Sequence, residues 1–224
     1  MIGNVGNVAQ LLRRTAQAHP ARTALVAAAS EREVSWAELD GLVAALAAGL
    51  RAGQPAGARV ALLLGNSVDF VAGYLATLRA GLVAVPVNNG YTEPEIRRVL
   101  ADSGAGVVVA EPAAAETARA AAADRTATAR PWVLEVGSDE WRELAATEPA
   151  QAATPAGDTE LAVIAYTSGT SGAPKGAMLT HRALLASIEA TLALEPAPMR
   201  SDDVVLLALP LFHLYGLNGV LGPL

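Results

Sequence analysis

Residues 166–176 read Tyr-Thr-Ser-Gly-Thr-Ser-Gly-Ala-Pro-Lys-Gly. Three glycines, four Ser/Thr hydroxyls and one lysine stand within this run. Glycines let a backbone adopt positive φ and come close to a ligand. Successive N–H groups in such turns converge into a nest for phosphate oxygens. Thr167, Ser168, Thr170 and Ser171 add short hydroxyl donors, and Lys175 adds a mobile positive charge that suits a polyphosphate. A Gly/Ser-rich run can also be a flexible linker. The flanks argue against that here, because Leu161 to Ala165 and Ala177 to Leu179 are both apolar. The chemistry expected is an anion cradle released from the end of a buried strand.

The familiar phosphate loop G-x-x-x-x-G-K-[ST] does not fit. Lys175 follows Pro174 rather than glycine, and Gly176 stands where Ser or Thr belongs. Pro174 also lacks the N–H such a loop would use. Gly176 to Leu179 reads as a short strand, and a helix begins only at Thr180, a good N-cap residue. The cradle is therefore expected at a hairpin-like turn between two strands, not at a helix N-terminus.

The run Tyr166 to His181 resembles the signature phosphate loop of the adenylate-forming superfamily: acyl-CoA synthetases, aryl-CoA ligases, luciferases and peptide-synthetase adenylation domains. Three further segments resemble that superfamily in the expected order: Val34 to Leu39, Leu78 to Asn88, and Leu209 to Leu217 with Leu-Pro-Leu-Phe-His-Leu-Tyr-Gly-Leu. The resemblance runs from about residue 7 to the end. It implies an α/β fold of parallel sheets flanked by helices. It also implies a first lobe over 1–150 and the start of a second over 151–224. The superfamily's later motifs and C-terminal domain have no counterpart, so the chain is expected to be an N-terminal fragment, inactive alone.

The activity implied is ATP-dependent conversion of a carboxylic acid, a fatty acid in first place, to an acyl-adenylate and then to an acyl-CoA. ATP, Mg²⁺ and coenzyme A are the implied co-substrates and cofactor. By resemblance Thr167, Ser168, Gly169, Thr170, Ser171 and Gly172 hold the phosphates. Lys175 stabilises departing pyrophosphate, and Thr167 helps hold Mg²⁺. His213, Tyr215 and Gly216 line the acid pocket. Peptide-synthetase domains carry Phe-Asp where this chain has Phe212-His213, which disfavours an amino acid. Tyr166 is expected to pack at the strand end, and His181 to be a capping or surface residue. Arg79 and Glu38 are expected to orient helices. Asn66 and Asn88 follow strand-like runs, where loop residues can line a cleft, but the sequence gives no reason to assign them a role. An aryl-acid or fatty acyl-AMP ligase, and a non-catalytic nucleotide-binding module, remain open alternatives.

Composition sets the frame for these residues. The 224-residue chain is 52% hydrophobic and 17% charged, which fits a globular protein. Its net charge of −6 argues against a nucleic-acid surface. With no cysteine, disulfides and thiolate metal sites are excluded. The N-terminus lacks signal-peptide character, and Phe70 to Val87 is broken by Arg79, Gly81 and Pro86. That stretch reads as a buried helix and strand rather than a membrane span, and a cytoplasmic location is expected. Oligomeric state is open, with a homodimer among the options.

Helix and strand signals alternate. Helices are expected from Val8 to Ala18, from the capping box Ser35-x-x-Glu38 to about Leu50, and from Ser67 to Ala80. Further helices are expected from the box Thr92-x-x-Glu95 to Ser103-Gly104, over 111–130, and from Thr180 to about Leu194. Strands are expected at Thr23–Val26, Arg59–Leu64, Leu82–Val85, Gly106–Ala110, before and after the loop, and at Val204–Leu207. Glu148 to Thr159 reads as a loop. This alternation argues for a parallel sheet covered on both faces.

Overall fold

A computed structural model of the chain describes residues 5–28, 31–123, 130–149, 157–167, 175–200 and 202–223. The first half runs α1 (Ala9–Ala18), β1 (Thr23–Ala27), β2 (Arg32–Ser35), α2 (Trp36–Gly53), β3 (Arg59–Leu63), α3 (Val68–Arg79), β4 (Val83–Pro86), α4 (Glu93–Ser103) and β5 (Ala105–Ala110). The second half runs α5 (Pro112–Ala122), β6 (Trp132–Glu135), α6 (Asp139–Ala145), β7 (Leu161–Thr167), β8 (Lys175–Thr180), α7 (His181–Leu192) and a π-helix (Tyr215–Leu221).

Six strands form one sheet in the order β6-β5-β3-β4-β7-β8. All neighbours are parallel except β7 and β8, which are antiparallel. Parallel strands buried on both faces must be apolar at successive positions, and the central ones are. Val60 and Leu62 of β3 and Val107 and Val109 of β5 join the core beneath α1, α2, α3 and α7. Ala61, Leu63, Val108 and Ala110 point the other way, into the core beneath α4 and α5. Full burial of each Leu or Val is worth about 1.5–3 kcal/mol. β1 and β2 form a separate antiparallel pair.

Local chemistry sets the helix limits. Ser35 Oγ accepts from the Glu38 N–H, and the Glu38 carboxylate accepts from the Ser35 N–H at 2.8 Å, closing the expected box on α2. On α4 the Glu95 carboxylate accepts from the Thr92 N–H at 2.7 Å and from the Thr92 hydroxyl at 2.6 Å, while the Glu95 N–H donates to the Thr92 carbonyl. Gly104 ends α4 at φ +64°, a left-handed conformation that favours glycine. Arg79 of α3 pairs with Asp40 of α2, so it ties those helices together as expected.

Three expectations need correction or completion. Val204–Leu207 is not a strand: residues 203–208 lie in no ladder, and the Ala208 N–H turns back to the Leu206 carbonyl at 3.2 Å. The stretch 131–147 carried no assignment, yet it forms the edge strand β6 and helix α6. The alanine-rich helix covers Pro112–Ala122, with 124–129 outside the described residues. The lobe boundary at 150/151 also falls beside undescribed residues, while β7 beyond it pairs with β4 at Ala84 and Val163. Among the described residues no helix is long and apolar enough to cross a membrane.

His181 is the clearest misreading. Thr180 does cap α7, accepting from the Ala183 N–H at 3.2 Å, but His181 at the next position is fully buried. Its Nδ1 accepts the Val8 N–H at 3.3 Å, which places the proton of the neutral ring on Nε2. That nitrogen is buried without a partner. Asn7, also buried, donates to the Leu78 carbonyl at 2.9 Å and accepts from the Ala9 N–H. The start of α1 is thus held by α3 on one side and α7 on the other. Position next to a cap suggested a surface residue, and the long-range contact with α1 overrode it.

Desolvation lowers the His181 pKa to about 4 from an ordinary 6.5. Above pH 6.5 the ring is neutral in both folded and unfolded chains, and its contribution is complete. Below 6.5 the unfolded chain takes up a proton that the folded chain refuses. Stability should therefore fall by up to about 1.4 kcal/mol per pH unit down to about pH 4, then level off. Urea unfolding of the wild type and His181→Asn between pH 7 and 4 checks this, and the wild type should lose more stability over that window.

Candidate active site

β7 and β8 are cross-strand partners up to the very ends that face the loop. Tyr166 lies opposite Gly176, and Thr167 opposite Lys175. Both Thr167 and Lys175 are exposed. The expectation of a connection between two strands agrees with the antiparallel pairing of β7 and β8, and α7 begins only after β8. Ser168, Gly169, Thr170, Ser171 and Gly172 fall outside the described residues.

The hairpin is shaped by its one glycine opposite an aromatic ring. A Cβ on Gly176 would lie 2.6 Å from Ile164 Cγ2 and 3.2 Å from Tyr166 Cζ. Tyr166 lies over that glycine and donates its hydroxyl to Asp102 of α4 at 2.5 Å. Burial, with the Asp102 carboxylate beside it, pushes the phenol pKa up. Tyr166 therefore packs at the strand end, as expected, and braces the hairpin against α4.

Because β7 is parallel to β4, its carboxyl end lies on the same edge of the sheet as those of β3, β4 and β5. The chain leaves β3 toward α3 on one face, while β4 and β5 lead to α4 and α5 on the other. Such divergence opens a crevice over the strand ends, where open α/β sheets bind ligands. Polar groups line this edge. The Glu111 carboxylate accepts from the Gly65 N–H at 3.0 Å and from Asn89 Nδ2 at 2.9 Å.

The segment carrying His213 reaches the same edge. Asn66, just past β3, donates Nδ2 to the Leu207 and Leu209 carbonyls at 3.1 and 2.8 Å. Its Oδ1 accepts from the Leu211 N–H at 2.8 Å. His213 follows, exposed, with its ring centroid 4.6 Å from that of Phe212. Its N–H donates to the Pro210 carbonyl, and its own carbonyl accepts from Leu217. In the sheet β3 and β7 are separated only by β4, so the two strand ends are close neighbours on this edge.

Tyr215 is 70% exposed and borders an open groove of ≈ 330 Å³ with Leu179 of β8, Ala183 and Ser187 of α7, and Asn218. Gly216 is different: it is buried, and a Cβ there would lie 2.7 Å from the Pro210 carbonyl. Its described contact is with backbone, so it fixes the turn of the π-helix. Thr167, Lys175, His213 and Tyr215 are thus exposed, and Gly216 packs behind them. Sequence reasoning noted Asn66 at a strand end without giving it a role, and it missed Asn89 and Glu111. Each lies just past the carboxyl end of a strand, a signal that the β-α alternation already contained.

Among the described residues, no group of three or more His, Cys, Asp or Glu side chains could hold a metal ion by itself. Thr167 Oγ1, exposed at the end of β7, is a hard oxygen of the kind that suits Mg²⁺.

A mostly parallel sheet flanked by helices, with a Gly/Ser/Thr run joining β7 to β8 at its carboxyl edge, defines an α/β protein. Residues 12–224 match the family model described as AMP-binding enzyme, and the chain belongs to that family. It is similar to 4-coumarate–CoA ligase 5 of Oryza sativa subsp. japonica, with 37% identity over 89% of this chain and 38% of the ligase. It is 35% identical to the long-chain-fatty-acid–CoA ligase FadD13 of Mycobacterium tuberculosis, over 96% of this chain and 42% of that one. The ATP-bound structure of MatB from Rhodopseudomonas palustris matches with TM-score 0.83 and 33% identity. It covers 98% of this chain and 43% of MatB. The chain thus spans about two fifths of the length of these relatives.

Gly176→Ala should destabilise the chain by about 1–3 kcal/mol, because the β-branched Ile164 and the braced Tyr166 ring cannot move aside. Gly41→Ala, in α2 with nothing within 4 Å of the new methyl, should be neutral or stabilising by about 0.5–1 kcal/mol. Urea midpoints of the two variants provide the comparison.

Proposed function

We propose that this chain is the N-terminal part of an acid–thiol ligase. The ligase joins a carboxylic acid to AMP at the expense of ATP, then passes the acyl group to the thiol of coenzyme A. The observation that carries this reading is the meeting, on one sheet edge, of a phosphate hairpin and the His213 segment. In the first step a carboxylate oxygen attacks the α-phosphorus and pyrophosphate leaves. In the second the thiol sulfur attacks the acyl carbonyl and AMP leaves. The first step needs negative charge on the phosphates offset in place.

The loop Thr167 to Gly172 supplies N–H and hydroxyl donors to the β- and γ-phosphates. Lys175, at the other end of the hairpin, places its ammonium against the departing pyrophosphate. Mg²⁺ bound with the nucleotide neutralises phosphate charge, and Thr167 is the residue here suited to hold it. His213 lies near the reacting carboxylate, and Tyr215 forms part of the wall along which the acid's tail runs. Gly216 shapes that wall from behind. The groove beside Tyr215 is lined mainly by apolar groups, which supports an acid with an apolar tail, a fatty acid in the first instance. A hydroxycinnamic acid is the second reading, favoured by the similarity to a 4-coumarate–CoA ligase. The setting proposed is cytoplasmic.

Residues 1–224 alone should give no acid-dependent ATP–pyrophosphate exchange, and detectable exchange would contradict the partial-site reading. In the complete ligase, Lys175→Ala should slow adenylation by about 100-fold or more while acid binding changes little. An unchanged rate removes Lys175 from the mechanism. His213→Ala should change the relative rates with fatty acids of several lengths and with 4-coumarate, and identical profiles would count against its place in the pocket.

A further inference from the structure

We infer that Asn66 is a positioning residue for the acid site. One exposed amide makes three hydrogen bonds to the stretch of chain that leads into His213: two from Nδ2, at 3.1 Å to the Leu207 carbonyl and 2.8 Å to the Leu209 carbonyl, and one to Oδ1 from the Leu211 N–H. The chain bends at Leu207, where the Ala208 N–H returns to the Leu206 carbonyl, and both amide hydrogens of Asn66 are used on the carbonyls that flank Ala208. The carbonyl and N–H partners also fix which atom of the amide is oxygen and which nitrogen.

This pattern accounts for the unpaired segment 203–208. Val204 to Leu207 has a strand's composition, and Val204 and Leu206 face solvent at 94% and 85% while Val205 and Leu207 are half-buried. It joins no strand: the Ala208 N–H turns back to the Leu206 carbonyl at 3.2 Å, and the Leu207 carbonyl is met by the Asn66 side chain. Asn66 thus acts as a one-residue rung, fastening the segment to the end of the central strand β3.

The rung lies next to the acid site. Leu211, the last residue held, is almost fully buried and two residues from His213. Pro210 accepts the His213 N–H and its carbonyl also packs on Gly216. The position of the His213 ring on the carboxyl edge therefore follows from where Asn66 holds 207–211. This inference rests on the pocket role proposed for His213. The change expected is in how the acid is placed, since Asn66 touches neither hairpin strand in any bond described.

The test has two arms. In the ¹⁵N-labelled 224-residue chain, Asn66→Ala should speed amide exchange at Leu211 and His213 about tenfold or more, leaving Ala61 and Val108 in the sheet unchanged. Asn66→Asp, which keeps the acceptor but turns an oxygen toward two carbonyls, should loosen the same amides and serves if the alanine variant does not fold. In the complete ligase, the ratio of kcat/KM between a short and a long fatty acid should shift about tenfold, with the KM for ATP unchanged. A variant that only lowers the active fraction leaves that ratio alone. Unchanged exchange at Leu211 and His213 overturns the inference. So does an unchanged acid ratio when His213→Ala shifts it. If His213→Ala leaves the ratio unchanged too, the pocket reading fails and this inference falls with it.

Discussion

Burial of β3, β4 and β5 on both faces is the constraint on which the rest of the structure depends. A strand apolar at every position has no place for a polar group along its length. Every donor and charge that could meet a ligand is therefore displaced to the strand ends. At the carboxyl ends the chain turns to opposite faces, toward α3 after β3 and toward α4 and α5 after β4 and β5. Gly65, Asn66, Asn89 and Glu111 collect there and bond to one another or to the segment 207–211. The same parallel direction delivers Thr167 to that edge from β7. The site is thus a consequence of how the core is closed.

The antiparallel strand β8 adds the second element. A helix after the loop would have offered its N-terminus to phosphate. Here the chain returns as a strand, and Lys175 faces Thr167 across the hairpin. Tyr166 braces this return from Asp102, over a glycine that nothing larger can replace without displacement. An open groove lies between β8, α7 and the π-helix. Lys175 and the groove residue Leu179 both belong to β8, so the site proposed for phosphate and the wall proposed for the acid share one continuous element.

Much of this was legible in the residues. Capping boxes at Ser35 and Thr92, continuous apolar runs at Val60 and Val107, and the Gly/Ser/Thr run carried strand, helix and loop directly. Their signals are local in sequence. The failures are non-local. Val204 to Leu207 has strand propensity but meets an asparagine side chain rather than a strand. His181 looked like a helix-start surface residue, but α1 packs over it from 173 positions away. β6 and α6 are short, and their apolar residues make sense only against β5 and α2. Asn66 is one polar residue among many until the fold brings 207–211 beside it. Whether Gly216 touches ligand or packs on Pro210 was likewise a question of tertiary contact.

The central claim is that the β7–β8 hairpin end receives nucleotide phosphate. The most direct measurement is an NMR titration of the ¹⁵N-labelled chain with MgATP. The account predicts progressive shifts of the amides between Tyr166 and Gly176, smaller ones at Gly65 and Asn66, and none in the β1–β2 pair. Shifts confined to other regions, or none at millimolar nucleotide, would contradict it.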